Sequence, residues 1–155
     1  MSLLIWQQPE TIRWSQVLSA SFRQLLDKEL IEAQTPEQLA RELFHAPWAI
    51  VSHGIQADPI FNYGNQTALE LWSMNWDEFT KTPSRLSAEA VNRATRSEML
   101  EKAAKQGYID NYQGVRISSN GERFLIEKAI VWNLTDESGQ KCGQAATFRS
   151  WQWLE

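Results

Sequence analysis

The sequence predicts one α+β domain, helical at its start and closed by three adjacent antiparallel strands. Three observations carry this. Apolar residues recur at spacings of three and four between residues 11 and 31, the mark of an amphipathic helix. The last third is a series of β-type apolar runs separated by glycine-bearing turns. The chain has 155 residues, 43% apolar and 22% charged, which suits a single core and excludes disorder over most of its length.

The elements follow in order. Trp14, Leu18, Phe22, Leu25, Leu26 and Leu30 form one apolar stripe on a helix over 11–31, with Thr11 as its N-cap. Thr35-Pro36-Glu37-Gln38 opens a second helix: a cap, a proline at the first helical position, and Gln three residues on. Pro47 ends it. Residues 48–52 and 59–63 are short strands. Asn65 caps a helix over 66–72, and 76–79 is one helical turn. Ser87 to Ala104 reads as a longer helix stopped by Gly107. Strands follow over 108–118, 123–134 and 143–149. Asn120-Gly121 predicts a type I′ turn between the first two, and Ser138-Gly139 turns the chain again. Residues 150–155 read as a short tail.

Both faces of the middle strand are apolar. Strict alternation puts Phe124, Ile126, Ile130 and Trp132 on one face, and Leu125, Ala129 and Val131 on the other. Such a strand must be covered on both sides. The central helices cover one face; the two N-terminal helices, or a second subunit, cover the other. Eight tryptophans are read chiefly as core, with an aromatic pocket or a dimer face as the alternative.

The net charge of −4 argues against a nucleic-acid or anionic-membrane surface. No apolar run reaches the roughly 18 residues of a membrane helix. The opening MSLLIWQQPE lacks the features of a signal peptide. One cysteine, Cys142, precludes an internal disulfide and suits a reducing compartment, so a cytoplasmic location is expected.

The order strand, strand, short helices, longer helix, three strands resembles the PAS order. Ile60-Phe-Asn-Tyr-Gly-Asn65 running into the helix to Trp72 is similar to the PAS segment where a strand passes into a helix through Asn. The segments Asn62 to Trp72, Pro83-Ser-Arg-Leu-Ser-Ala88, Asn111-Tyr-Gln-Gly-Val-Arg-Ile-Ser118, Val131-Trp-Asn-Leu-Thr-Asp136 and Gly143-Gln-Ala-Ala146 sharpen the likeness to the PAS-like MEKHLA family. The resemblance implies a sheet of about five antiparallel strands with helices on one face. It divides the chain into an N-terminal helical extension over 1–46 packed on the domain, a PAS-like domain over 47–151, and a tail over 152–155. The family includes free-standing bacterial proteins and the C-terminal domain of plant homeodomain–leucine zipper regulators, where it implies control of dimerisation. No cofactor follows from it.

The chemistry-bearing residues are sparse. His45, His53 and Cys142 lack metal-ligand spacing. Residues 87–106 hold no histidine for haem, and Cys142 opens a strand, where the flavin-adduct chemistry of light-sensing relatives is unsupported. No nucleophile elbow, dinucleotide fingerprint or P-loop occurs. The candidate pocket residues are Arg85, Asn111, Arg116, Glu127, Trp132 and Gln144. A buried arginine needs a carboxylate or an anionic ligand, and Glu127 or Glu70 is the expected internal partner. Two functions compete. The first is a non-enzymatic sensing or interaction module that binds a small molecule or a protein, including a second copy of itself. The second is a small enzyme of NTF2-like cone type that uses His53 with a carboxylate.

Overall fold

A computed structural model describes residues 3–87, 97–98, 101–102 and 105–155. Helix α1 spans Pro9–Leu26 and α2 spans Pro36–His45. Strands β1 (Ala49–His53) and β2 (Phe61–Gly64) precede α3 (Gln66–Trp72), the single turn α4 (Trp76–Phe79) and a 3-10 turn over Ser84–Ser87. Strands β3 (Tyr108–Ile117), β4 (Arg123–Thr135), β5 (Lys141–Phe148) and β6 (Ser150–Leu154) complete the chain. All pair antiparallel, in the order β2-β1-β5-β4-β3, with β6 also paired to β4. Most of the helix expected over 87–104 lies outside the described residues. No helix among the described residues is long and apolar enough to cross a membrane.

The helix termini show what local chemistry settles. Thr35 accepts from the Gln38 N–H, as its spacing with Pro36 predicts. Helix α1 starts two residues before Thr11, because Pro9 occupies its first position and sets φ for helix entry. It stops at Leu26, short of Ile31, where Asp27 turns left-handed at φ 55°.

Asn65 ties four elements together. Its side chain is fully buried. Oδ1 accepts from Ala68 N, capping α3, and from Ile50 N in β1, each at 3.1 Å. Nδ2 donates to Leu43 O of α2 at 3.0 Å and to Trp48 O at 2.8 Å. Its backbone N–H reaches Ile50 O at 3.0 Å. Thus one amide satisfies two backbone donors and two acceptors that burial would otherwise strand.

The sheet has two covered faces. Against one lies α1, with Leu18 and Phe22 packed on Ile50, Tyr63, Trp132 and Leu134. Each such side chain contributes about 1.5–3 kcal/mol when fully buried. Hydrogen bonds also fix the helix on the sheet. Trp14 Nε1 donates to Ser52 Oγ at 2.9 Å, Trp132 Nε1 to Leu18 O at 3.2 Å, and Thr135 N to Ser21 Oγ at 3.0 Å. The opposite face carries α3, Phe61 and Phe79 over Val51, Phe124, Ile126, Val131 and Phe148. Of the eight tryptophans, Trp72 and Trp132 are buried within these cores, one on each face, while Trp153 stays 49% exposed.

Strict alternation fails in β4. Between the pairs Ile109–Val131 and Tyr112–Ala129, β3 has one residue too many; between Tyr112–Ala129 and Gly114–Ile126, β4 does. Two bulges therefore compensate one another. Each holds a non-glycine residue in the left-handed region, Asn111 at φ 56° and Lys128 at φ 53°. The second bulge inverts side-chain parity along β4. Phe124, Ile126, Ala129 and Val131 share one core; Trp132 and Leu134, with Ile130 packed beside them, share the other. This corrects the alternation drawn from sequence, which placed Trp132 with Ile126.

Two further expectations change. Only Gly121 of the Asn120-Gly121 pair has positive φ, 85°, so the connection is a longer loop with one left-handed glycine rather than a type I′ turn. The supposed tail over 152–155 is largely β6, which takes Arg123–Glu127 of β4 as partner where β5 has run out.

Replacing Asn65 by Ala strips partners from four buried backbone groups, each costing about 1–3 kcal/mol when unmet. Asn65→Ala is expected to lose about 3 kcal/mol or more of stability, read as a lower urea midpoint with an unchanged slope. Asn65→Asp should not rescue it, since a carboxylate faces the Leu43 and Trp48 carbonyls.

Candidate functional site

A cavity lies on the α3 face of the sheet. Its floor is apolar: Val51 from β1, Ile126 and Val131 from β4, Ala146 and Phe148 from β5. Phe61 and Trp72 wall it, and the buried Ser84 and Ser87 close one side from the 3-10 turn. Its volume is about 60 Å³. At the roughly 30 Å³ that a water occupies in the liquid, that is room for about two waters. Pockets for drug-sized ligands begin near about 300 Å³.

The polar groups come from strand ends. Arg116 of β3 is partly buried and carries the one permanent charge among the described lining residues. Its Nη2 donates to the Tyr112 hydroxyl at 3.2 Å and its Nη1 to Val115 O at 3.0 Å; the guanidinium sits 5.5 Å from the Tyr112 ring centre. Gly114 permits this arrangement. A Cβ there would collide with the Tyr112 phenol, which folds back along the strand beneath Arg116. Gln144 of β5 is buried, its Nε2 donating to Asn133 Oδ1 at 3.2 Å. His53 Nδ1 lies 2.8 Å from Gly54 O, an acceptor, so Nδ1 carries the proton. Ser87 Oγ donates to Ser84 O at 2.7 Å. The Trp72 indole N–H, in the cavity wall, is buried without an acceptor among the described residues.

Of the six residues expected at a pocket, Arg116 and Gln144 meet at this cavity. The other four do not. Arg85 is an exposed residue paired with Asp58, Nε to Oδ1 3.1 Å, with both side chains 51% exposed. Its partner is neither Glu70 nor Glu127. Asn111 is exposed at its bulge. Glu127 accepts from Gln152 Nε2 at 2.7 Å, in register with β6, and does not pair with Arg116. Trp132 is fully buried on the α1 face, because the β4 bulge turned it there. Sequence reasoning missed Tyr112 and Trp72. The Tyr-x-Gly-x-Arg spacing of 112, 114 and 116 was the available signal, since alternate strand residues share a face.

Cys142 is half-buried in β5. Burial and the nearby Asp136 charge push its thiol pKa up, which makes it a poor nucleophile. Among the described residues no cluster of three His, Cys, Asp or Glu could hold a metal ion.

The fold is that of a PAS domain. The PAS domain of a Colwellia psychrerythraea protein superposes with a TM-score of 0.64 at 17% identity, covering 76% of this chain and 95% of that one. An RNA-binding light-oxygen-voltage receptor superposes at 0.62 and 17% identity, covering 76% of this chain and 33% of that one. Within that class, the MEKHLA domain profile matches residues 12–153, and the chain belongs to the MEKHLA family. The match takes in α1, so the helix on the sheet is part of the family's pattern. Among curated relatives, the homeobox-leucine zipper protein HOX29 of Oryza sativa subsp. indica is 24% identical over 135 residues, which is 84% of this chain and 16% of that protein. The chain thus spans about a sixth of that relative's length.

Arg85→Ala removes an exposed ion pair and leaves the described cavity lining intact. It should change urea stability by less than about 1 kcal/mol, whereas a larger loss would mean that Arg85 has a buried role.

Proposed function

We propose that this protein is a non-enzymatic sensing and interaction module of signalling or regulation, which takes a small molecule into the cavity on its α3 face. One observation carries the reading: an apolar cavity in a PAS-fold sheet meets a single arginine and a few hydrogen-bonding groups, the usual makeup of a ligand site. The enzyme alternative needs His53 beside a carboxylate. His53 does line the cavity, but none of the described lining residues is Asp or Glu, and the PAS fold replaces the cone-shaped scaffold. In this reading residues 1–46 serve as the permanent cover of the other face, and the single cysteine suits the cytoplasm.

Self-association is the second part of the proposal. Val115, Ile117, Leu125 and Leu154 share the α1-side face by register, yet belong to neither core and stay partly exposed. Helix α1 packs against the β1, β5 and C-terminal β4 half of that face and leaves this half open. A second copy is the occupant we favour. Relatives named homeobox-leucine zipper proteins carry a zipper, which pairs two chains and so holds two copies of the matched region together.

Native mass spectrometry of freshly purified protein tests both parts. The expected result is a dimer with a co-purifying small molecule; Leu125→Lys should give a monomer that keeps the molecule. A ligand-free monomer at high concentration would overturn the proposal.

A further inference from the structure

Resting on the ligand-sensing reading above, we infer that the cavity takes a short-chain monocarboxylate, with its carboxylate on Arg116 and its hydrocarbon against Val51, Ile126 and Val131. Charge comes first. Arg116 lines the cavity, and no described carboxylate pairs with it: the ion pairs among the described residues are Arg23–Glu29, Arg41–Glu42 and Arg85–Asp58. A guanidinium has five N–H donors. Two are used within β3, one on the Tyr112 hydroxyl and one on Val115 O. The other three have no acceptor among the described residues, enough for a forked pair with one carboxylate. A cationic ligand would meet Arg116 with no compensating acid among the described lining residues. A neutral ligand would leave those donors unmatched as it displaced their water.

Size and polarity narrow the class. About 60 Å³, set against the roughly 150 Å³ that takes benzene, holds a tail of two or three carbon atoms with the carboxylate at the edge on Arg116, and excludes a ring system of flavin size in this conformation. The floor offers hydrocarbon: Ile126 is 3% exposed, Val131 5% and Phe148 2%. A polyanion such as phosphate or a dicarboxylate would put a second charge against these groups without a second cation among the described lining residues. One charged end and a short apolar tail matches one arginine at the edge of an apolar floor. The Trp72 N–H adds a donor in the wall that has no acceptor among the described residues, and the Tyr112 hydroxyl, which accepts from Arg116, keeps a proton of its own to donate.

The test compares propionate with propionamide, which has nearly the same shape and no charge. Dialysed, ¹⁵N-labelled protein is titrated with each at constant ionic strength. Amide signals of 112–116, the Arg116 Nε–H and the Trp72 indole N–H are followed, the last assigned by Trp72→Phe. Propionate should produce saturable shifts at these groups, with propionamide weaker by about tenfold or more, the ratio that losing a charge-assisted pair brings. Arg116→Gln should weaken propionate by a similar factor and leave propionamide unchanged. The wild-type comparison stands alone if that variant does not fold. Equal binding of the two probes, or no saturable shift with acetate, propionate or butyrate, would overturn the inference. A neutral or cationic molecule found by native mass spectrometry would likewise overturn it while leaving the sensing reading in place.

Discussion

The buried side chain of Asn65 sits where helix α2, the first two strands and α3 meet, and everything on the α3 face depends on that junction. Its amide is both the N-cap of α3 and a bridge to β1 and to the end of α2. A hydroxyl could cap the helix but could not also donate to two carbonyls. An aspartate could accept but not donate. Asparagine alone has the short reach and the paired donor and acceptor that this corner requires. The consequence is positional: α3 leaves the corner at a fixed angle and delivers Trp72 to the cavity wall, against Phe124 and Phe148.

The second constraint is the pair of compensating bulges. Without them β4 would alternate regularly, and Leu125 with Glu127 would face the same side as Val131. The two left-handed residues, Asn111 and Lys128, cost backbone strain of about 1–2 kcal/mol each. In return the sheet keeps apolar groups on both faces at its centre and sends Tyr112 and Arg116 to the cavity side. Helix α1 then covers the β1, β5 and C-terminal β4 half of the other face through Leu18, Phe22 and the Trp132–Leu18 hydrogen bond.

Local chemistry was legible in the sequence. Thr35-Pro36 at the start of α2, Asn65 at α3, the helical turn at 76–79 and the broad strand order all follow from residue types acting on their neighbours, and PAS-like assembly followed from short segments spread along the chain. What could not be read were the non-local choices. A bulge depends on which residue the partner strand presents, so neither Lys128 nor Asn111 announces one, and the parity error it produced moved Trp132 to the wrong face. Glu127 went astray for a related reason: its partner Gln152 lies in a strand that reads as a tail until β4 is known to outrun β5. Arg85 stands out in the sequence for its charge, but the β1–β2 loop brings Asp58 to it at the surface. Arg116 and Gln144 were found because polar residues within apolar strands are informative whichever face they take.

The central claim is that the α3 face carries a receptive cavity with Arg116 at its edge. A high-resolution crystal structure of the freshly purified protein tests this most directly. The account predicts left-handed Asn111 and Lys128, and density for a small acceptor-bearing molecule within hydrogen-bonding distance of the Arg116 guanidinium. A regular β4 without its bulge, or a cavity closed by its apolar walls with Arg116 turned to solvent, would contradict it.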